Sequence, residues 1–284
     1  MLVRKMSILK KLDVVQGTVI KRPSKTCKTP YVADVLLNDE SVLCHSPSLG
    51  CCGLCDKEHS ILMTNVGNPK NVCKFRADLS IVNEPKLDTN IVVGINPKLA
   101  EELIDTCLKQ NELGFLKAKT FKREQKISLI TNSRFDFVGV DENDKPFVLE
   151  IKSVPLADYV DCCSKDKKKI DMSIYDSKAY NEKIAYFPDG YRKNSKTPIS
   201  TRALKHLNDL QKIHESGDYR AIICYVIQRE DVNCFTPSVI DKIYRDCFYE
   251  TKEKGVEIHA VQFKWNEDGE ATLLNDDLKI LNKD

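Results

Sequence analysis

Over the first 90 residues, apolar and polar positions alternate in short bursts. Val14–Ile20, Tyr31–Leu37, Ser41–His45, Ile61–Asn65 and Leu79–Val82 are rich in β-forming residues and separated by Pro, Asn, Asp and Gly. Short strands without a helical stripe predict a small β-barrel. The period changes at residue 95. Asn96-Pro97 reads as a cap with proline at the first helical position. Leu99, Leu103 and Cys107 then recur every fourth residue, and Gly114 reads as the stop. Arg134–Val140 and Pro146–Val154 are alternating strands around the polar loop Asp141-Glu-Asn-Asp-Lys145, which predicts a hairpin. A Lys-rich stretch from Asp158 to Asn181 reads as an exposed insertion. Thr201–Glu215 carries Leu204, Leu207, Leu210 and Ile213 near one helical face and stops at Gly217. Arg220–Gln228 is a continuous apolar run, a buried strand. Thr236-Pro237 reads as the start of another helix ending at Gly255, and Val256–Trp265 as a strand. Strand, helix and strand in that order predict a crossover within a mixed sheet. The change of pattern divides the chain into 1–90, a small β-barrel, and 91–284, a mixed α+β or α/β domain with a central sheet flanked by helices.

Composition narrows the class. With 42% hydrophobic and 30% charged residues, the chain can bury a core. Forty-four Lys and Arg against 42 Asp and Glu leave +2, which excludes a polycation but not a local basic patch. Two stretches are locally basic. Residues 1–30 hold eight Lys/Arg against Asp13, and residues 117–134 hold six, from Lys117 to Arg134, against Glu124. No apolar run approaches the roughly 18–20 residues that span a bilayer. The basic first 12 residues lack a following apolar region and cleavage site. Twelve cysteines without a secretory leader read as mostly reduced thiols of an intracellular protein, with cytoplasmic, nuclear and viral-factory placement all open.

The hairpin carries the chemistry. If Val140 and Pro146 face each other across the loop, Asp136 falls opposite Glu150, and Lys152 shares the face of Glu150. Two carboxylates opposed on a sheet repel, and a divalent cation such as Mg²⁺ removes that cost while keeping waters for substrate phosphates. An adjacent lysine can orient the attacking water. Asp followed by Glu-x-Lys on the next strand therefore suits a metal-dependent phosphodiester hydrolase. On spacing alone, a solvent-facing pair of carboxylates partnered by Lys152 is the stronger reading, because Glu-x-Lys is common by chance.

Longer motifs change that balance. Ser133-Arg-Phe-Asp-Phe137, Leu149-Glu-Ile-Lys-Ser-Val154 with Leu156-Ala157, Tyr186-Phe-Pro-Asp189 and Thr201-Arg-Ala-Leu-Lys-His-Leu207 occur in this order. Arg220-Ala-Ile-Ile223, Asp241-Lys242 and Gly255-Val-Glu-Ile258 follow. Together they resemble the sugar fermentation stimulation protein family, most specifically from residue 133 onward. The resemblance implies an OB-like barrel joined to a PD-(D/E)xK, restriction-endonuclease-like domain, with DNA as partner. It implies Asp136, Glu150 and Lys152 as the core motif, with Asp136 and Glu150 holding Mg²⁺ or Mn²⁺, and Glu124 as the upstream acidic member. It implies Arg202 and Lys205 as basic helix positions, and Arg134 joins them as a candidate DNA contact. The activity expected is a Mg²⁺- or Mn²⁺-dependent deoxyribonuclease; the alternative is a regulatory DNA-binding protein that keeps the fold without turnover. Insertions near 158–184 and 191–200 are longer than the family pattern, and Ser46-Pro-Ser-Leu-Gly50 stands where that pattern has Cys-Pro-Asn-Thr-Gly.

Other positions have plainer readings beside the sharp ones. Asp189 either caps a Pro-Asp-Gly turn or borders the site. His206 reads as a structural or surface histidine rather than a phosphate ligand. Tyr31 and Phe75 are the only aromatics before residue 90, so base stacking by the barrel has little support. Cys52-x-x-Cys55 with Cys44 or His59 has zinc-ligand spacing, but no second Cys-x-x-Cys pair follows, and reduced loop thiols are the better expectation. Cys162-Cys163 reads as exposed thiols rather than half of a thiol protease pair.

Overall fold

The computed structural model describes residues 7–48, 53–68, 70–128, 130–162, 164–188 and 200–283. Sixteen strands are described: β1 (Ile8–Lys11), β2 (Val14–Lys21), β3 (Val32–Leu37), β4 (Glu40–His45), β5 (Ser60–Asn65), β6 (Phe75–Asn83), β7 (Asn90–Gly94), β8 (Ala118–Lys126), β9 (Arg134–Asp141), β10 (Pro146–Val154), β11 (Ala157–Asp158), β12 (Lys183–Phe187), β13 (Arg220–Ile227), β14 (Val232–Pro237), β15 (Glu257–Trp265) and β16 (Glu270–Asn275). The helices are α1 (Pro97–Gln110), the single turn α2 (Ser164–Lys167), α3 (Thr201–Ser216) and α4 (Lys242–Glu253). None of the described helices is long and apolar enough to cross a membrane.

One mixed sheet runs in the order β4-β3-β2-β5-β6-β7-β15-β13-β10-β9-β8, with β1 and β16 attached beside β15. A small second sheet joins β11, β12 and β14. Strands β10, β13 and β15 are parallel, and β9 and β8 continue antiparallel. The apolar run of β13 is buried on both faces, as parallel central strands are. Its Ile222, Cys224 and Val226 join the core under α1, while Ile223, Tyr225 and Ile227 join the core under α3 and α4. A third core, built on Val19, Val35, Ile61 and Met63, fills the N-terminal strands, and β4 meets β6 in parallel at two residue pairs. The sheet does not stop at residue 90. Strand β7 pairs with β6 on one side and touches β15 on the other.

Two sequence readings need correction. Helix α1 ends at Asn111, in the left-handed conformation (φ 55°), and not at Gly114; asparagine is a usual occupant of that cap. Thr236-Pro237 ends strand β14 rather than opening a helix. Asp241 caps α4 instead, its side chain accepting the Tyr244 N–H. Residues 118–126, a basic stretch in the sequence, form strand β8, with one large apolar side chain in nine residues. It is the outer edge of the sheet, where charged side chains suit an exposed ladder.

Two features fix the frame around the hairpin. Buried Asp78 on β6 accepts from Asn96 Nδ2 at 2.6 Å, tying the start of α1 to the N-terminal strands. Gly139 on β9 has no room for a side chain: an added Cβ would lie 2.1 Å from the Thr120 carbonyl on β8. We expect Gly139→Ala to cost about 1–3 kcal/mol by forcing β8 away from β9, read as a lowered midpoint in urea with unchanged m.

Candidate functional site

Strands β9 and β10 pair Val140 with Pro146, Gly139 with Phe147, Val138 with Val148 and Phe137 with Leu149. This is the register expected from the loop. Asp141 closes that loop by accepting from the Asn143 and Lys145 N–H groups. One step past the last ladder pair, the Asp136 carboxylate accepts the Ile151 N–H at 2.6 Å. Asp136, Glu150 and Lys152 line one cleft of about 330 Å³, between the start of α1 and the start of α3.

Asp136 faces two further acids. Glu101, in the first half of α1, and Glu124, on β8, each bring a carboxylate oxygen within 4.8 Å of the other and of Asp136. Glu124 stands opposite Asp136 between two ladder pairs and has φ 54°, a left-handed conformation that few non-glycine residues adopt. Arg123 reaches back to hold Glu101 at 3.0 Å. Burial and the Glu150 charge push the Asp136 carboxyl up to about 8. Burial also raises Glu101, against the pull of Arg123.

Glu150 is held differently. It is 3% exposed, and its Oε1 is met by both Lys152 Nζ and His206 Nδ1. Lys152 Nζ also lies 3.2 Å from His206 Nδ1. Burial pushes the Glu150 carboxyl up, but the charges of Lys152 and His206 outweigh it, and the group ends below the usual carboxylate range. Its other oxygen, Oε2, is buried with no hydrogen-bond partner among the described residues. A buried carboxylate oxygen left unmatched is costly unless something else meets it.

Of the basic candidates, Arg202 lines the cleft. Lys205 does not. It donates to Asp209 Oδ2 at 2.5 Å and to the Ser133 hydroxyl, alongside the Ser133 bond to the same carboxylate. Arg134 lies over Glu124 at 3.6 Å, more than half exposed. Asp189, Cys51, Cys52, Cys163 and most of the 191–200 insertion lie outside the described residues. Among the described residues the acidic trio is the one group of ligand atoms close enough to share a cation. Cys107, Cys224 and Cys234 are buried free thiols.

Sequence reasoning misses Glu101 and gives His206 no part in the site. His206 carries a signal: it lies three residues after buried Ala203 and four before buried Leu210, on the covered face of α3. Glu101 has none beyond its place in the first turns of a helix.

An acid trio, an orphaned buried carboxylate oxygen and an elevated aspartate together call for a positive charge. Oxygen ligands of this kind suit a hard divalent cation. The model for the sugar fermentation stimulation protein RE domain matches residues 95–165 and 167–269. This chain belongs to the sugar fermentation stimulation protein family. A family homolog from Crocosphaera subtropica is 30% identical over 256 residues, covering 88% of this chain and 90% of its own. Another, from Pelagibacter ubique, is 26% identical and covers 95% of this chain and 97% of its own. The fold is similar to that of Pyrococcus furiosus SfsA, solved in complex with Ca²⁺, with TM-score 0.73 at 17% identity, covering 97% of this chain and all of that one.

Proposed function

We propose that this member of the sugar fermentation stimulation family binds DNA and hydrolyses phosphodiester bonds with the help of Mg²⁺ or Mn²⁺. The observation that carries the reading is the meeting of Asp136, Glu150 and Lys152, from two paired strands, in one cleft beside Glu101 and Glu124. That is the PD-(D/E)xK arrangement, and we read residues 91–284 as such a domain and residues 1–90 as an OB-like barrel. Asp136 would hold the cation with Glu101 and Glu124, and Glu150, paired with Asp136 in the motif, would offer its unpartnered oxygen to the same charge from outside that trio. A cation held there would supply Lewis-acid polarisation of the phosphoryl oxygen and a more acidic water. Lys152 donates toward the attacking water once phosphate enters, while His206 keeps the Glu150 carboxylate in place. Arg202 at the mouth holds the phosphate. The Ca²⁺ complex of Pyrococcus furiosus SfsA agrees with an oxygen-ligand site in this family.

A second reading is a DNA-binding regulator without turnover. One observation favours it: Lys152 is engaged by Glu150 and His206 rather than projecting free into the cleft. One assay separates the two. Purified protein is incubated with DNA in EDTA, Mg²⁺ or Mn²⁺, alongside Glu150→Ala. Metal-dependent cleavage that disappears in the variant is the expected result. Cleavage that survives the substitution, or DNA bound and left intact under every metal, would sink the hydrolase reading.

A further inference from the structure

The cleft is narrow, and its charge is nearly balanced. A space of about 330 Å³ is on the scale of a small molecule or a single nucleotide. The hydrolytic groups are recessed, with Glu150 3% and the Lys152 side chain 11% exposed, which suits a flexible strand better than a rigid duplex. Surfaces that hold duplex DNA do so by neutralising many phosphates with Lys and Arg. Among the described residues the lining offers two cations, Lys152 and Arg202, against three acids, Glu101, Asp136 and Glu150. Its remaining surface is largely apolar: Ile95 and Pro97 come from the α1 side, and Leu156 and Phe187 from the other. Apolar walls beside a few cations match a base and one or two phosphates, the elements by which single strands are held.

We infer that the occupant of this cleft is single-stranded DNA, with a base against the apolar walls and its phosphate at Arg202 and Lys152, and that duplex DNA is not admitted. The inference rests on reading the cleft as a phosphodiester site, but its test does not depend on turnover. The full chain is titrated in EDTA against a fluorescein-labelled single strand of about 12 nucleotides, a length within the range of known single-strand sites. A blunt hairpin duplex of the same composition is titrated beside it. Fluorescence polarisation should show the single strand bound at least about tenfold tighter, the scale of one base contact. Arg202→Ala should weaken single-strand binding and reduce the slope of log K against log salt by about 0.7, the share of one phosphate. Leu156→Glu should weaken it by a similar factor through the apolar wall. Circular dichroism confirms that each variant is folded.

Equal or tighter duplex binding overturns the inference. So does a single-strand preference that both variants retain, because the strand is then held elsewhere. Cleavage of the same oligonucleotides in Mn²⁺ is scored separately. Single-strand preference carried by the cleft without cleavage keeps this inference and removes the hydrolase. Cleavage inside the duplex without single-strand preference does the reverse.

Discussion

Lys152→Met is expected to lower metal-dependent cleavage by about 10²–10³, the usual loss when one preorganised donor to the reacting centre is removed. The reason is local. Lys152 lies beside Ser153 and close to Glu150 on β10, in a parallel register that sets it opposite Tyr225, and its side chain is only 11% exposed. Arg202 is the other cation among the described residues of the cleft lining. Methionine keeps the unbranched stem and removes the charge, so packing against β13 is preserved. Single-turnover rates at saturating Mn²⁺ are the measurement. DNA affinity in EDTA should fall far less than the rate, because binding also draws on cations outside the cleft. A rate within about threefold of the parent, well short of the loss expected for a donor to the reacting centre, would show that Lys152 is only the neutralising partner of Glu150.

Removing His206 tests the same group from the opposite helix. His206→Ala frees Oε1 of Glu150 on one side and leaves Lys152 as its remaining partner among those described. The expected outcome is a smaller loss of rate than for Lys152→Met, with partial recovery in His206→Gln, whose amide can still meet the carboxylate. An unchanged rate in the alanine variant would mean that Lys152 alone fixes Glu150.

How much of this is legible in the sequence depends on which physical signal each element carries. The β9–β10 hairpin is readable because a five-residue polar loop between two alternating strands leaves one register that buries Phe137, Phe147 and Leu149. β13 is readable because both of its faces are buried. The edge strand β8 is not, because an edge needs no apolar face: only Phe121 and Ala118 pack inward. That blindness hides the geometry around Glu124. Its residue type stands out in the sequence, but its meeting with Glu101 depends on how α1 packs against β10 and reaches Arg123 on β8, a long-range arrangement that leaves no periodic mark. Helix α3 shows the opposite failure. Its apolar stripe is plain, but face alone assigns Lys205 to phosphate. Three residues further from the cap than Arg202, it finds Asp209 and Ser133 instead. Position along a helix matters as much as the face it presents.

The acid trio makes a second large effect follow from pH. With Asp136 raised to about 8, the carboxyl is mostly protonated at neutral pH until a cation displaces the proton. Apparent affinity for Mn²⁺ should therefore rise nearly tenfold per pH unit well below 8, about fiftyfold between pH 6 and pH 8, and flatten above that. Calorimetry in buffers of different ionisation enthalpy should register nearly one proton released per cation at about pH 7. The same shift has a consequence for folding. A carboxyl whose folded pKa lies above its unfolded value binds more protons in the native state between the two. The Asp136 contribution to stability without metal then falls as pH rises from about 4 to 8, the reverse of the usual salt-bridged aspartate. Thermal melts in EDTA should show that decline, Mn²⁺ should remove most of it, and Asp136→Asn should abolish both the decline and the metal response. A metal affinity that is flat across this range would place the cation away from Asp136, and with it the chemistry proposed for the cleft.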